Sequence, residues 1–225
     1  MTRLLPAGEV QARPGLQEWR VVGPRLVGTF RTGSLARGIE LARRIGDVAE
    51  ELDHHPDLDL RYHRVHVSLI TYAAGGLTER DVALGERIST IARELGLRPE
   101  PHRCTAVEIA VDALDIAAVL PFWQAVLGYK RFAPPGEEET SVDLVDPAGR
   151  GPALWFQQMD APRPGRNRIH LDVHVPADHA PARVAAALAA GGHLVTDAHA
   201  PSWWVLADAE GNEACVCTWQ EEPAG

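Results

Sequence analysis

His54 and His55 are adjacent and run directly into Pro56, with Glu50 shortly before them. An imidazole titrates near neutrality, so it can take a proton in one step and return it in the next. Two imidazoles beside a carboxylate suit a reaction that removes one proton and delivers another. The pair also has a plainer use. A helix end favours side chains that are cationic or that bond to the last carbonyls, and histidine serves there. Adjacent side chains diverge, which argues against a metal shared by the two.

A helix before the pair and a strand after it would position them. Ser34 can cap a helix running to about Leu52, with Leu35, Ile39, Ala42, Ile45, Ala49 and Leu52 at helical spacing. WRVVGPRLVGTF (19–30) reads as two short strands around Gly23-Pro24. A strand is predicted over 62–72, with Val65, Val67 and Leu69 on one face and His66, Ser68 and Tyr72 on the other. Thr78 with Asp81 three residues on is a capping-box signal for a second helix, which Gly96 ends near Leu95. His63 and His66 read as packing residues. LRPEPHR (97–103) marks a change of unit, which gives domains at 1–98 and 105–225 with a linker at 99–104.

The second half contains a repeat. VEIAV (107–111) and IHLDV (169–173) are 62 residues apart, and so are DPAG (146–149) and DAEG (208–211). AAVLPFWQAVLG (117–128) and HAPARVAAALAAG (179–191) match as helices. One offset linking a strand, a helix and a turn predicts two similar βαβββ modules with a ligand pocket between them. The fold class is therefore α+β: an antiparallel sheet with helices on one face, followed by the paired modules.

The charge is uneven. Residues 1–100 carry 14 basic and 14 acidic residues, whereas 101–225 carry 8 and 17, the whole net charge of -9. An acidic second half excludes nucleic acid as its partner. No apolar run approaches the roughly 18 residues of a membrane span, and the N-terminus lacks the apolar core of a signal peptide. Cys104, Cys215 and Cys217 form no disulfide framework or paired metal motif, so the cytoplasm is the expected compartment.

Glu50, the His54-His55-Pro56 element, Tyr62, the VHVSL strand and GGLTERD together resemble the pterin-4a-carbinolamine dehydratases over roughly residues 16–96, with Trp19, Phe30 and Asp81 included. The resemblance implies dehydration of a 4a-hydroxytetrahydropterin to the quinonoid dihydropterin, without a cofactor. His54 matches the principal acid/base group, and His55 a residue that binds or polarises the pterin. Glu50 and Asp81 match acidic positions, and Ser68 and Thr71 border the pterin. The family places a third histidine after that threonine, where this chain has Tyr72. A phenol, pKa about 10, donates a proton more readily than it accepts one at pH 7. Retained but reduced activity is expected, with Tyr72 as the acid and His54 as the base. The alternative is a degenerate site that only binds. Family members assemble through helices, so a homo-oligomer is expected.

Asp115 with FWQAVLGY (122–129), HLDVHVP (170–176) and DAEGNEACV (208–216) resemble the vicinal-oxygen-chelate proteins over about 105–219. Metal-dependent members take ligands from the first and last strands of each module. Those positions here are Glu108 and His170, then Ala153 and Cys215, with Glu213 displaced by two. Alanine has no donor, so no metal is expected. Glu108, His170, Glu213 and Cys215 are expected to line a pocket for an unidentified small molecule, with Trp155, Phe156, Trp203 and Trp204 as wall or core. A metal-dependent lyase or dioxygenase in this half is the remaining alternative.

Overall fold

The computed structural model describes residues 3–132, 143–162 and 169–218. The described chain divides into two compact units, with the change between Ala106 and Val107.

In the first unit, β1 (Trp19–Val22), β2 (Arg25–Arg31), β3 (Asp57–Arg61) and β4 (Arg64–Leu69) form an antiparallel sheet in the order β1-β2-β4-β3. Helices α1 (Ala7–Gln11), α2 (Leu35–Leu52) and α3 (Glu79–Glu94) complete the unit. The expected alternation of β4 is present: Val65, Val67 and Leu69 are fully buried, and Arg64, His66 and Ser68 are half-buried. The buried face packs with Trp19, Phe30, Leu41, Ile45 and Ile88 into one core. Trp19 donates its indole N–H to Ser89 Oγ at 2.9 Å, so its polar atom is satisfied inside.

Three expectations need correction. Helix α2 buries only part of the predicted stripe: Ile45 and Ala49 are buried and Ala42 and Leu52 half-buried, but Leu35 and Ile39 are 46% and 54% exposed, and Gly38, Leu41 and Val48 complete the buried face. The cause is Gly38. A Cβ there would stand 2.5 Å from Leu60 Cδ1, so the helix turns its bare glycine towards β3. The strand predicted over 62–72 ends at Leu69. Thr71 makes an isolated bridge with Gly76, and Tyr72 opens a 3-10 turn (Tyr72–Ala74). Residues 98–104 are packed onto the first unit. Arg98–Pro99 forms β5 against β2, Glu100 N–H bonds Thr29 O, and buried Glu100 accepts from Arg64 at 2.5 Å and lies 3.1 Å from Arg103.

The second unit holds two sheets of the same topology. The first contains β6 (Glu108–Ala113), β7 (Lys130–Phe132), β8 (Asp143–Val145) and β9 (Ala153–Gln158), with α4 (Ile116–Leu127), in the order β6-β9-β8-β7. The second contains β10 (Leu171–His174), β11 (His193–Thr196), β12 (Trp203–Ala207) and β13 (Glu213–Cys217), with α5 (Ala180–Ala189), in the order β10-β13-β12-β11. In each, the first strand lies parallel to the last. The 62-residue repeat is therefore a repeat of βαβββ modules, as expected. The DPAG and DAEG turns match in detail. Asp146 accepts the N–H groups of Ala148, Arg150 and Gly151, Asp208 those of Glu210 and Asn212, and Gly149 and Gly211 both take positive φ. The core of this unit includes Phe122, Trp123, Phe156, Leu206 and Val216.

A chain cut after Ala106 is expected to fold alone and melt in one step by circular dichroism. An unfolded fragment would mean that the second unit supplies part of its core. A cut after Leu97 takes away the carboxylate that Arg64 bonds. It should lower the melting midpoint by roughly 4–8 °C for each 1 kcal/mol lost. The Arg64 hydrogen bond holds the Glu100 carboxyl below its ordinary range. Its stabilisation is therefore present above the unfolded pKa and lost as pH falls through the lower folded value. Glu100→Gln should remove that part of the acid-side loss, read from melts between pH 3 and about 6.

Candidate functional site

The two histidines diverge because of the residue before them. Asp53 ends α2 in the left-handed region (φ 48, ψ 41), a conformation that aspartate tolerates better than most residues. The chain folds back there, and His54 N–H bonds Ala49 O at 3.0 Å. The His54 side chain points inward and is 8% exposed. His55 points outward and is 56% exposed.

His54 meets Asp81, which is fully buried. Nε2 of the imidazole lies 2.9 Å from Asp81 Oδ1. The other carboxylate oxygen accepts from Thr71 Oγ1 at 2.7 Å, Thr78 N at 2.8 Å and Thr78 Oγ1 at 3.1 Å. Thr78 and Asp81 form the predicted capping box at the start of α3. A carboxylate oxygen accepts, so Nε2 is assigned as the donor, and in the neutral ring Nδ1 is then the proton acceptor. A buried carboxylate thus fixes both the orientation and the tautomer of one histidine.

His55 Nε2 lies 3.0 Å from Glu50 Oε1, and both side chains are mostly exposed. Such a pair contributes little to stability, about 0–1 kcal/mol.

Tyr72 belongs to a third cluster. Its hydroxyl donates to Asp57 Oδ2 at 2.9 Å and accepts from Arg25 Nη2 at 3.0 Å. Arg25 Nη1 also donates to Asp57 Oδ2 at 2.7 Å and to Ser68 Oγ at 3.0 Å. Burial works against the charge on Arg25, but the hydrogen bonds to Asp57 and Tyr72 outweigh it and raise the guanidinium above its ordinary value. Chain connectivity places this cluster beside the His54 network. Asp57 is three residues from His54, a reach of about 10 Å at most, and Tyr72 follows Thr71 directly. Arg25 and Asp57 escaped sequence reasoning. Asp57 had a signal, since it follows the HHP element at the start of a strand. Arg25 had none, because only the β2–β4 pairing brings it to Ser68.

His66 is set apart from these clusters. It bonds Thr29 Oγ1 through Nδ1 at 2.9 Å, and burial lowers its pKa.

In the second unit, the residues expected to form one pocket separate by module. Glu108 pairs with Ala153 in the first sheet, and alanine offers no ligand atom, so the four-position metal set does not fit. In the second module, one donor atom from each of His170, Asp172 and Cys215 lies within 4.8 Å of the others. Asp172 was missed, although it has the strand parity of His170. Burial, followed by the nearby Asp172 carboxylate, pushes the Cys215 thiol up to about 12. Glu213 is half-buried, two residues before Cys215 at the start of β13. A groove of about 300 Å³ is lined by Ile109, Tyr129, Leu154, Leu171, Asp172 and His174, among others. Of the aromatic residues, Phe156 is core, Trp155 is 37% exposed, and Trp203 stacks on His199 with centroids 4.2 Å apart.

Residues 3–91 match the family model described as pterin 4 alpha carbinolamine dehydratase, and residues 108–217 match a glyoxalase-like domain. A protein of Mycolicibacterium smegmatis, provisionally named a pterin-4-alpha-carbinolamine dehydratase, is 41% identical over 80 residues, 36% of this chain and 85% of its own. One from Thermomicrobium roseum with the same provisional name is 40% identical over 86 residues, 38% of this chain and 89% of its own. A solved structure from Brucella melitensis, titled a transcriptional coactivator/pterin dehydratase, is 26% identical. It covers 40% of this chain and 99% of its own, with a TM-score of 0.37.

Asp81→Ala removes the acceptor for Thr71, the Thr78 N–H and His54 at once. Loss of a cap and of buried partners predicts a destabilisation of about 2–4 kcal/mol, read by urea denaturation. Glu50→Ala, which breaks only the exposed pair, should change stability by less than about 1 kcal/mol.

Proposed function

This chain belongs to the pterin 4 alpha carbinolamine dehydratase family through residues 3–91, and from that premise we propose that its first unit dehydrates a 4a-hydroxytetrahydropterin to the quinonoid dihydropterin. The observation that carries the reading is the buried His54–Asp81 pair. N5 of the pterin loses its hydrogen as a proton, the C4a–O bond breaks, and the hydroxyl leaves as water after taking a proton. No electrons are exchanged with a cofactor, so acid–base groups suffice.

His54 is the base. Asp81 holds its Nε2–H, which leaves Nδ1 to accept the proton and stabilises the imidazolium that results. His55, more than half exposed beside Glu50, binds or polarises the ring. Ser68 and Thr71 border it. Tyr72 supplies the acid, but its hydrogen already lies on Asp57 while Arg25 donates to its oxygen. The phenol must exchange Asp57 for the leaving hydroxyl, which is the physical reason to expect a reduced rate. The second unit binds a separate small molecule.

The first unit is expected to self-associate, since Leu35 and Ile39 expose apolar surface on α2. Light scattering would give the state. The proposed compartment is the cytoplasm, where three free cysteines persist. Among the described residues no helix is long and apolar enough to cross a membrane.

Stopped-flow dehydration of 4a-hydroxytetrahydropterin tests the reading. His54→Ala should lose at least about 100-fold, because positioned acid–base groups contribute roughly 100- to 10,000-fold. Tyr72→Phe should lower the rate moderately, and Tyr72→His should raise it. If the wild type and Tyr72→His both fail to exceed the uncatalysed rate, the first unit is a binding scaffold.

A further inference from the structure

Strand register in the first unit brings together charges that lie far apart in sequence. Arg98 of β5 stands opposite Arg31 of β2, Arg31 opposite Arg64 of β4, and Arg64 opposite Arg61 of β3. Directly opposed residues share a face of the sheet, so four arginines form one row across four adjacent strands. The row lies on the face away from the core, because Val65, next to Arg64, is the residue that turns into the core. The Thr29–His66 hydrogen bond, between the next opposed pair on β2 and β4 facing the same way, is on that face too. Neighbouring strands are about 4.8 Å apart, which makes the row roughly 14 Å long. Arg103 joins it through buried Glu100, which also accepts from Arg64. Like charges directly opposite one another are destabilising. Among the described residues two carboxylates answer these five guanidinium groups: Glu100 takes Arg64 and Arg103, and Asp59 takes Arg61. Arg31 and Arg98 are exposed, and among the described residues neither has an ion pair or a side-chain hydrogen bond.

We propose that this row is a binding site for a linear oligophosphate, held chiefly by Arg31 and Arg98. An arginine presents a rigid fork of N–H donors that matches phosphate oxygens two at a time, so adjacent forks suit adjacent phosphates. Arg64 and Arg103 flank them, already fixed by Glu100, and lose little freedom when an anion arrives. The excess of guanidinium over carboxylate calls for a polyanion, and a bound chain of phosphates removes the opposition of like charges along the row. A nucleic-acid strand suits it less well. Such a strand needs a longer cationic track with aromatic platforms, whereas this row stops at the outer strands β5 and β3 and the chain carries a net charge of -9. The row is also separate from the proposed dehydratase centre. Arg64 and Ser68 are four residues apart along β4, about 14 Å. The inference therefore stands independently of the dehydration reading.

The test titrates the full chain with inorganic tripolyphosphate at low salt, read by calorimetry. One equivalent per chain should bind, the affinity should fall as salt rises, and the melting midpoint should climb with added ligand. Arg31→Gln and Arg98→Gln should each weaken binding by about 10- to 100-fold, the worth of a charge-assisted hydrogen bond. Both should leave the melting midpoint of the free protein unchanged or higher, because each removes one of the opposed like charges. Arg43→Gln takes the same charge from α2, where Glu40 and Asp47 pair it, and should retain the wild-type affinity. No binding at low salt, an equal loss in Arg43→Gln, or sulfate binding as tightly as tripolyphosphate would overturn the proposal. A single-stranded oligonucleotide that binds more tightly than tripolyphosphate would also overturn it, and would assign the row to nucleic acid.

Discussion

A carboxylate with no exposed surface must find its partners inside the protein, and Asp81 finds them on three separate elements. Thr78 belongs to its own helix start, Thr71 to the end of the β4 segment, and His54 to the turn after α2. The same carboxylate serves as part of a helix cap, with Thr78, and as the support of an imidazole, His54. Stability and chemistry are therefore not separable at this position. Removing the carboxylate loosens α3 and also frees the ring whose orientation the proposed reaction needs. Around this fixed group the more exposed clusters, Glu50–His55 and Arg25–Asp57–Tyr72, have room to respond to a ligand.

The second unit solves a similar problem twice. Asp146 and Asp208 each gather the N–H groups of a tight turn, and a glycine with positive φ completes each turn. Asp208 has an additional task, since it also accepts the Trp123 indole N–H at 2.9 Å. The repeat is thus kept where the backbone requires it. It has diverged where the first and last strands pair: Ala153 lies opposite Glu108, whereas Cys215, its counterpart 62 residues on, lies opposite Asp172 and not His170.

Much of this was legible in the sequence where a pattern is local. The capping box, the alternation of β4, the Gly23-Pro24 hairpin and the 62-residue repeat all depend on residues near one another or on a constant offset. Failures arose where tertiary contact decides. Helical period selects Leu35 and Ile39 as a buried stripe, but the close approach at Gly38 sets the rotation of α2, and a glycine leaves no apolar mark. Alternation continued past Leu69 because Thr71 and Tyr72 fit a strand, yet Thr71 is recruited by Asp81 and the chain turns. Arg25 and Asp172 reach their clusters only through strand pairing, which spacing alone does not reveal.

The turn between α2 and β3 has a further consequence. Surface loops ordinarily accept added or deleted residues at little cost. This one is pinned on both sides: His54 is fixed to Asp81, and Asp57 to Arg25 and Tyr72, with two residues between them. One extra residue would shift Asp57 off its partners or pull His54 from its carboxylate. For folding, the outward-facing His55 should therefore admit substitution far more readily than the turn admits any change in length.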